Sequence, residues 1–179
     1  MSLRLFAAID LPDDVAEQIR PLQRGVAGAK WRPREALHLT LRFFGELDER
    51  QAEDLDHELG EISAPAFDAQ IKSAGWFGRE QPGALWLGLA ENPALASLAA
   101  ACERAARRTG LPPEPRAFTP HVTLAYCKGT GADDAMKFAQ RLALFETEPF
   151  LVDRFFMFSS WPGKRVSTYV AEAEYPLLG

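Results

Sequence analysis

The stretch His38-Leu39-Thr40-Leu41 returns, one apolar exchange aside, as His121-Val122-Thr123-Leu124, and the reading of that repeated word decides the fold. The chain has 3 histidines in 179 residues, and two of them stand two positions before a threonine. Leu, Val and Thr favour strands, and apolar/polar alternation is the strand period. Successive side chains of an extended chain point to opposite faces. His38 and Thr40 therefore share one face and Leu39 and Leu41 the other; His121 and Thr123 stand likewise against Val122 and Leu124. Each word predicts a strand with an apolar face for the core and a two-group polar face for something else.

The polar faces carry chemistry. An imidazole gives or takes a proton near neutral pH, and a threonine hydroxyl donates a hydrogen bond to an oxyanion. Two words brought face to face supply one base, one acid and two donors, a set that suits displacement at a phosphodiester. One histidine takes a proton from attacking water, the other protonates the leaving oxygen, and Thr40 and Thr123 hold the non-bridging oxygens. A lone His-x-Thr reads as a satisfied polar pair on a sheet surface; the duplication is what points to a site. Zinc is the chemical rival. The histidines come with no HExxH, no CxxC and no third ligand at a telling spacing, so neither a metal nor a cofactor is expected.

Outward from the words, the two halves share a plan. The first predicts a strand over 3–9, a helix over 12–28, the first word, a helix over 48–62 and a strand over 67–77. The second predicts a strand over 84–90, a helix over 93–109, the second word, a helix over 132–143 and a strand over 150–159. A last strand lies near 166–174. Asp10-Leu11-Pro12 and Glu91-Asn92-Pro93 both open a helix with Pro near its first turn and a capping residue nearby. Those prolines are 93 − 12 = 81 residues apart and the histidines 121 − 38 = 83, as two similar lobes require. Pro21 kinks or splits the first helix. Leu55, Leu59 and Ile62 form an apolar stripe that leaves His57 on the solvated side. Arg107-Arg108 closes the 93–109 helix, where cations complement its dipole. The fold expected is α+β: two pseudo-symmetric lobes whose antiparallel sheets line a central cleft, with helices packed outside. With no linker in the chain, residues 1–179 are expected to form one bilobal domain with interleaved lobes.

The net charge of −5 and pI near 5.3 argue against coating nucleic acid with a broad basic face. A grip on one phosphate needs only local cations, for which Arg42, Arg116 and Lys128 lie close to the words. Lys128-Gly129-Thr130-Gly131 is phosphate-friendly but no P-loop. Cys102 falls on a helix stripe as a core thiol, and neither it nor Cys127 shows motif spacing, as in a reducing compartment. No stretch is long enough to span a membrane, and the first residues run straight into a strand pattern without a leader, so the cytoplasm is expected.

The residues resemble a known family. Arg4-Leu5-Phe6-Ala7-Ala8-Ile9, His38-Leu39-Thr40-Leu41-Arg42-Phe43-Phe44-Gly45-Glu46 and Phe118-Thr119-Pro120-His121-Val122-Thr123-Leu124-Ala125 are similar to the 2H phosphoesterases. Among these they look like the RNA 2′,3′-cyclic phosphodiesterases, also called 2′–5′ RNA ligase-like proteins. The resemblance implies metal-free hydrolysis of a terminal 2′,3′-cyclic phosphate to a 2′-phosphate, on RNA 3′ ends or nucleotides; a monomer with no obligate protein partner is expected. It implies His38 as proton donor and His121 as acceptor, a choice that the near-symmetric words leave open. His38 must then start protonated and His121 neutral, so the rate should peak near neutrality. The motif flanks imply substrate contacts from Arg42, Phe44, Phe118, Tyr126 and Lys128. Family members often carry Arg where this chain has Tyr126; either Lys128 replaces it or Tyr126 stacks on a base. 2′–5′ ligation of tRNA halves through the same cyclic phosphate, and non-catalytic binding of RNA ends or nucleotides, are the alternatives. Binding alone does not call for two proton-transfer groups.

Overall fold

The computed structural model describes residues 1–178. In chain order it contains β1 (Ser2–Asp10), α1 (Asp13–Ile19), β2 (Ala29–Trp31), β3 (His38–Asp48), α2 (Glu49–Gly60), β4 (Phe67–Ala69) and β5 (Ile71–Phe77). There follow β6 (Ala84–Leu89), α3 (Pro93–Arg108), β7 (His121–Cys127), α4 (Ala132–Arg141), β8 (Phe150–Val152), β9 (Arg154–Trp161) and β10 (Thr168–Pro176). Local chemistry sets the boundaries. Asp48 caps α2 and completes a capping box with Gln51, and Asn92 caps α3 with Pro93 in its first turn. The helix expected over 12–28 stops at Ile19 and tightens into a 3₁₀ turn at Arg20–Leu22. Pro21 lacks the N–H that a continuing helix needs.

The strands run antiparallel in the order β10-β9-β1-β3-β7-β6-β5, with β2 on β7; β4 and β8 form a separate two-stranded sheet. Four strands, β10-β9-β1-β3, make the first lobe, and β2, β7, β6 and β5 make the second. They meet at one recorded pair, Leu39 opposite Val122, the second residues of the two words. The strand closing each half of the sequence crosses over: β9 pairs with β1 and β5 with β6. Both expected closing strands, 67–77 and 150–159, are broken, and their first pieces pair with each other as β4 and β8.

One face of the sheet carries the core. A continuous cluster includes Leu5, Ala7, Ile9, Leu39 and Leu41 of the first lobe, and Leu85, Leu87, Val122 and Leu124 of the second. It is covered by Leu55 and Leu59 of α2, Leu95, Leu98 and Cys102 of α3, and Phe138 of α4. Burial pushes the Cys102 thiol up to about 12, which leaves it an inert core group. The opposite face carries a small aromatic cluster, Phe6, Ala8 and Phe158 with Phe156 and Tyr169. Among the described residues no helix is long and apolar enough to cross a membrane.

Candidate active site

The Leu39–Val122 pair aims both apolar second residues at the core, so all four polar residues of the words share the other face. Carrying that antiparallel register one step each way sets His38 across from Thr123 and Thr40 across from His121. The two words are thus related about a local two-fold axis at this pair, and each histidine faces the other word's threonine. Along the seam lies a cleft of about 620 Å³, lined by His38, Thr40, Thr123, Arg32, Phe43, Tyr126 and Tyr169 among others. His121 stands outside that lining, one alternate position from Thr123.

A β-bulge follows the threonine in both words. In β3 the partners of Ala7 and Ala8 are Arg42 and Thr40, so Leu41 is skipped. In β7 the partners of Leu85 and Trp86 are Ala125 and Thr123, so Leu124 is skipped. The extra residue reverses the alternation. The cleft face therefore runs His38, Thr40, Phe43 in β3 and His121, Thr123, Tyr126 in β7. A second bulge at Phe44, between the partners of Leu5 and Phe6, returns Glu46 to the cleft.

These bulges correct two expected substrate contacts. Arg42 turns to the core side, where its guanidinium pairs with Glu103 and donates to the carbonyls of Phe43 and Pro112. Phe44, a bulge residue, is buried in the core. Lys128 and Phe118 are exposed and outside the cleft lining. The Lys128 loop packs on the 27–28 turn instead: Lys128 donates from its backbone N–H to Gly28, and the Thr130 hydroxyl to Ala27. A Cβ at Gly28 (φ +81°) would lie 2.3 Å from the Lys128 carbonyl, so only glycine fits there. Arg116 pairs with Glu114 at the surface, and His57 is exposed on α2. Of the five expected contacts, Tyr126 is the one that lines the cleft.

The histidines differ in surroundings. The His121 Nδ1 lies 2.6 Å from the Thr119 carbonyl oxygen. A carbonyl only accepts, so Nδ1 carries a hydrogen and the neutral ring keeps its lone pair on Nε2. Phe77 meets the ring edge-on at 5.0 Å and Trp86 stands at 6.2 Å. His38 is deeper, against Phe158 at 4.7 Å, Tyr169 at 5.2 Å and Phe6 at 5.7 Å. Burial holds its pKa down at about 4, with Arg32 and Arg34 pushing the same way and Asp10 opposing. Asp10 faces His38 across β1–β3, but Arg34 binds that carboxylate at 3.3 Å. Burial therefore works against the expectation that His38 starts protonated near neutral pH. A donor role there requires an anion beside the ring to restore the proton.

Arg32, Phe43 and Tyr169 are among the groups that line the cleft without having been expected there. Phe43 was hidden by the bulge. Arg32 sits in an aperiodic segment, where no pattern marks a facing direction. It is held beside the second word because the bulge frees the Leu124 carbonyl, which accepts from the Arg32 backbone N–H at 2.8 Å and from Gln23 at 3.1 Å.

Known proteins with this fold bear directly on the site. Residues 11–160 match the model of the 2′-5′ RNA ligase superfamily. An RNA 2′,3′-cyclic phosphodiesterase of Escherichia coli K12 is 36% identical over 134 residues, 68% of this chain and 70% of that one. One from Archaeoglobus fulgidus is 29% identical over 130 residues, 70% of this chain and 73% of that one. The crystal structure of E. coli LigT complexed with 3′-AMP superposes with a TM-score of 0.81 at 26% identity, covering 100% of both chains. This chain belongs to the 2′-5′ RNA ligase superfamily, with an α+β fold of antiparallel sheet and outer helices.

Proposed function

We propose that the protein hydrolyses the terminal 2′,3′-cyclic phosphodiester of RNA to a 2′-phosphomonoester, with acid and base supplied by the two histidines. The observation that carries this reading is the convergence of His38, Thr40, His121 and Thr123 on one face about the Leu39–Val122 pair. The relatives in E. coli and A. fulgidus that bear this activity in their names support it. His121 takes a proton from water through Nε2 as the water oxygen bonds to phosphorus. The bond from phosphorus to O3′ breaks, and His38 gives that oxygen its proton. Thr40 and Thr123 donate to the non-bridging oxygens, where charge is concentrated in the transition state. The free thiols of Cys102 and Cys127 fit a cytoplasmic setting.

The test is turnover of nucleoside 2′,3′-cyclic phosphates by wild type, His38→Ala and His121→Ala. Each variant is expected to lose about 10²–10⁴-fold in kcat, the ordinary worth of a general acid or base, with the melting profile of a folded protein. Near-wild-type rates in either variant would remove the two-histidine mechanism.

A further inference from the structure

We propose that Arg32 is the phosphate-binding cation of this cleft. The proposal rests on the reading above and adds the residue that compensates the charge of the bound phosphodiester. That charge needs a partner: the two threonine hydroxyls carry none, and the buried His38 ring gains its proton only once the anion is held beside it. Arg42 is spent on Glu103 behind the sheet, and Arg34 on Asp10 and Asp13. Arg4 lines the cleft but lies over Phe43, with its centre 5.1 Å from that ring. It stands four residues along β1 from Ala8, the partner of Thr40, which is about 13 Å of strand.

Arg32 is placed differently. It lines the cleft with His38, Thr40 and Thr123, and among the described residues it has no carboxylate partner. Its guanidinium carbon lies 4.9 Å from the centre of the Tyr126 ring and 5.5 Å from that of Tyr169. The Tyr169 hydroxyl accepts from Nη2, while Nε is buried without a partner. Two aromatic faces and one hydroxyl thus fix the plane of a half-buried cation while leaving its charge uncompensated. A planar guanidinium held this way suits a phosphate oxyanion, which accepts its N–H groups directly. Arg32 also bridges the lobes, since it follows β2 of the second and reaches β10 of the first. A purely structural tie would use these same contacts, so the test must read phosphate as well as folding.

Inorganic phosphate and a nucleoside 2′-phosphate are titrated into wild type, Arg32→Gln, and Arg32→Gln carrying Tyr126→Arg. Arg32→Gln is expected to weaken both ligands and lower kcat/KM by about 10- to 100-fold, the range of a charge-assisted hydrogen bond. Tyr126→Arg, which returns a guanidinium to the same part of the cleft, is expected to recover part of the phosphate affinity. The His38 ring, faced by Asp10, Arg32, Arg34 and Tyr169, is expected to titrate higher in Arg32→Gln because one repelling cation is gone. Unchanged phosphate affinity in Arg32→Gln, or affinity lost without recovery by Tyr126→Arg, overturns the proposal. Wild type supplies a check that does not depend on how the variants fold. The Arg32 Nε–H resonance must respond to inorganic phosphate with the dissociation constant read at His38, and an unmoved resonance overturns the proposal. A wild type that binds phosphate through Arg32 yet turns over no cyclic phosphate contradicts the functional reading alone.

Discussion

His38 carries the sharpest conflict between environment and role. Its ring is packed among Phe6, Phe158 and Tyr169, and burial lowers its pKa to about 4, yet the donor role proposed for it needs a proton. The conflict has two measurable consequences. First, an unfolded chain binds a proton at His38 below pH about 6.5 while the folded one resists until about 4, so stability falls as pH drops through that window. The full difference is on the order of 3 kcal/mol, and His38→Gln should remove this part of the pH dependence. Second, the ring resonance should titrate near 4 in the free protein and well above it with a nucleoside 2′-phosphate bound. A ring that stays neutral at pH 6 with the phosphate in place would pass the donor role to His121. None of this was legible in the word His38-Leu39-Thr40-Leu41, which specifies the facing direction of the ring but not the aromatic residues that reach it from β1, β9 and β10.

At the scale of elements, the repeated word contains its own irregularity. Its fourth residue, Leu41 or Leu124, is the bulge in each strand. Alternation counted from the histidine is therefore right for two residues and wrong for the next ones: it would place Arg42 and Phe44 in the cleft and leave Phe43 out. A bulge adds one residue with no compositional mark beyond the apolar leucine, so single-strand periodicity cannot announce it; only its recurrence at the same place in both words could have. Arg42 tests the corrected phase. Its side chain is 9% exposed and that of Glu103 27%, so Arg42→Met strands a half-buried carboxylate. The expected loss is about 1–3 kcal/mol, below the cost of breaking a fully buried pair because Glu103 keeps some solvent, with KM for a cyclic nucleotide unchanged. A KM raised tenfold at undiminished stability would put Arg42 back in the cleft.

Across the whole molecule, two lobes share one core and meet at the Leu39–Val122 pair. The near-equal offsets of helix-opening prolines and motif histidines revealed the two-fold plan before any coordinate. They did not reveal that β5 and β9 cross to the opposite lobes, because strand pairing between distant segments leaves no local pattern. The crossing matters for function. β9 brings Phe158 to His38 and β5 brings Phe77 to His121, so each histidine is packed by a strand from the other half of the sequence. The symmetry of the words then yields to asymmetric surroundings, a deeply packed His38 beside Arg32 and a half-exposed His121 with its tautomer set by Thr119. In the proposed mechanism that asymmetry lets His38 act as donor and His121 as acceptor. The most direct measurement is phosphorus NMR of the product formed from a short RNA ending in a 2′,3′-cyclic phosphate, with EDTA present throughout. The account predicts a 2′-phosphomonoester, formed at an undiminished rate in the chelator. A 3′-phosphate would contradict proton delivery to O3′ by His38, and activity lost to EDTA and restored by a divalent ion would contradict catalysis by the two histidines alone.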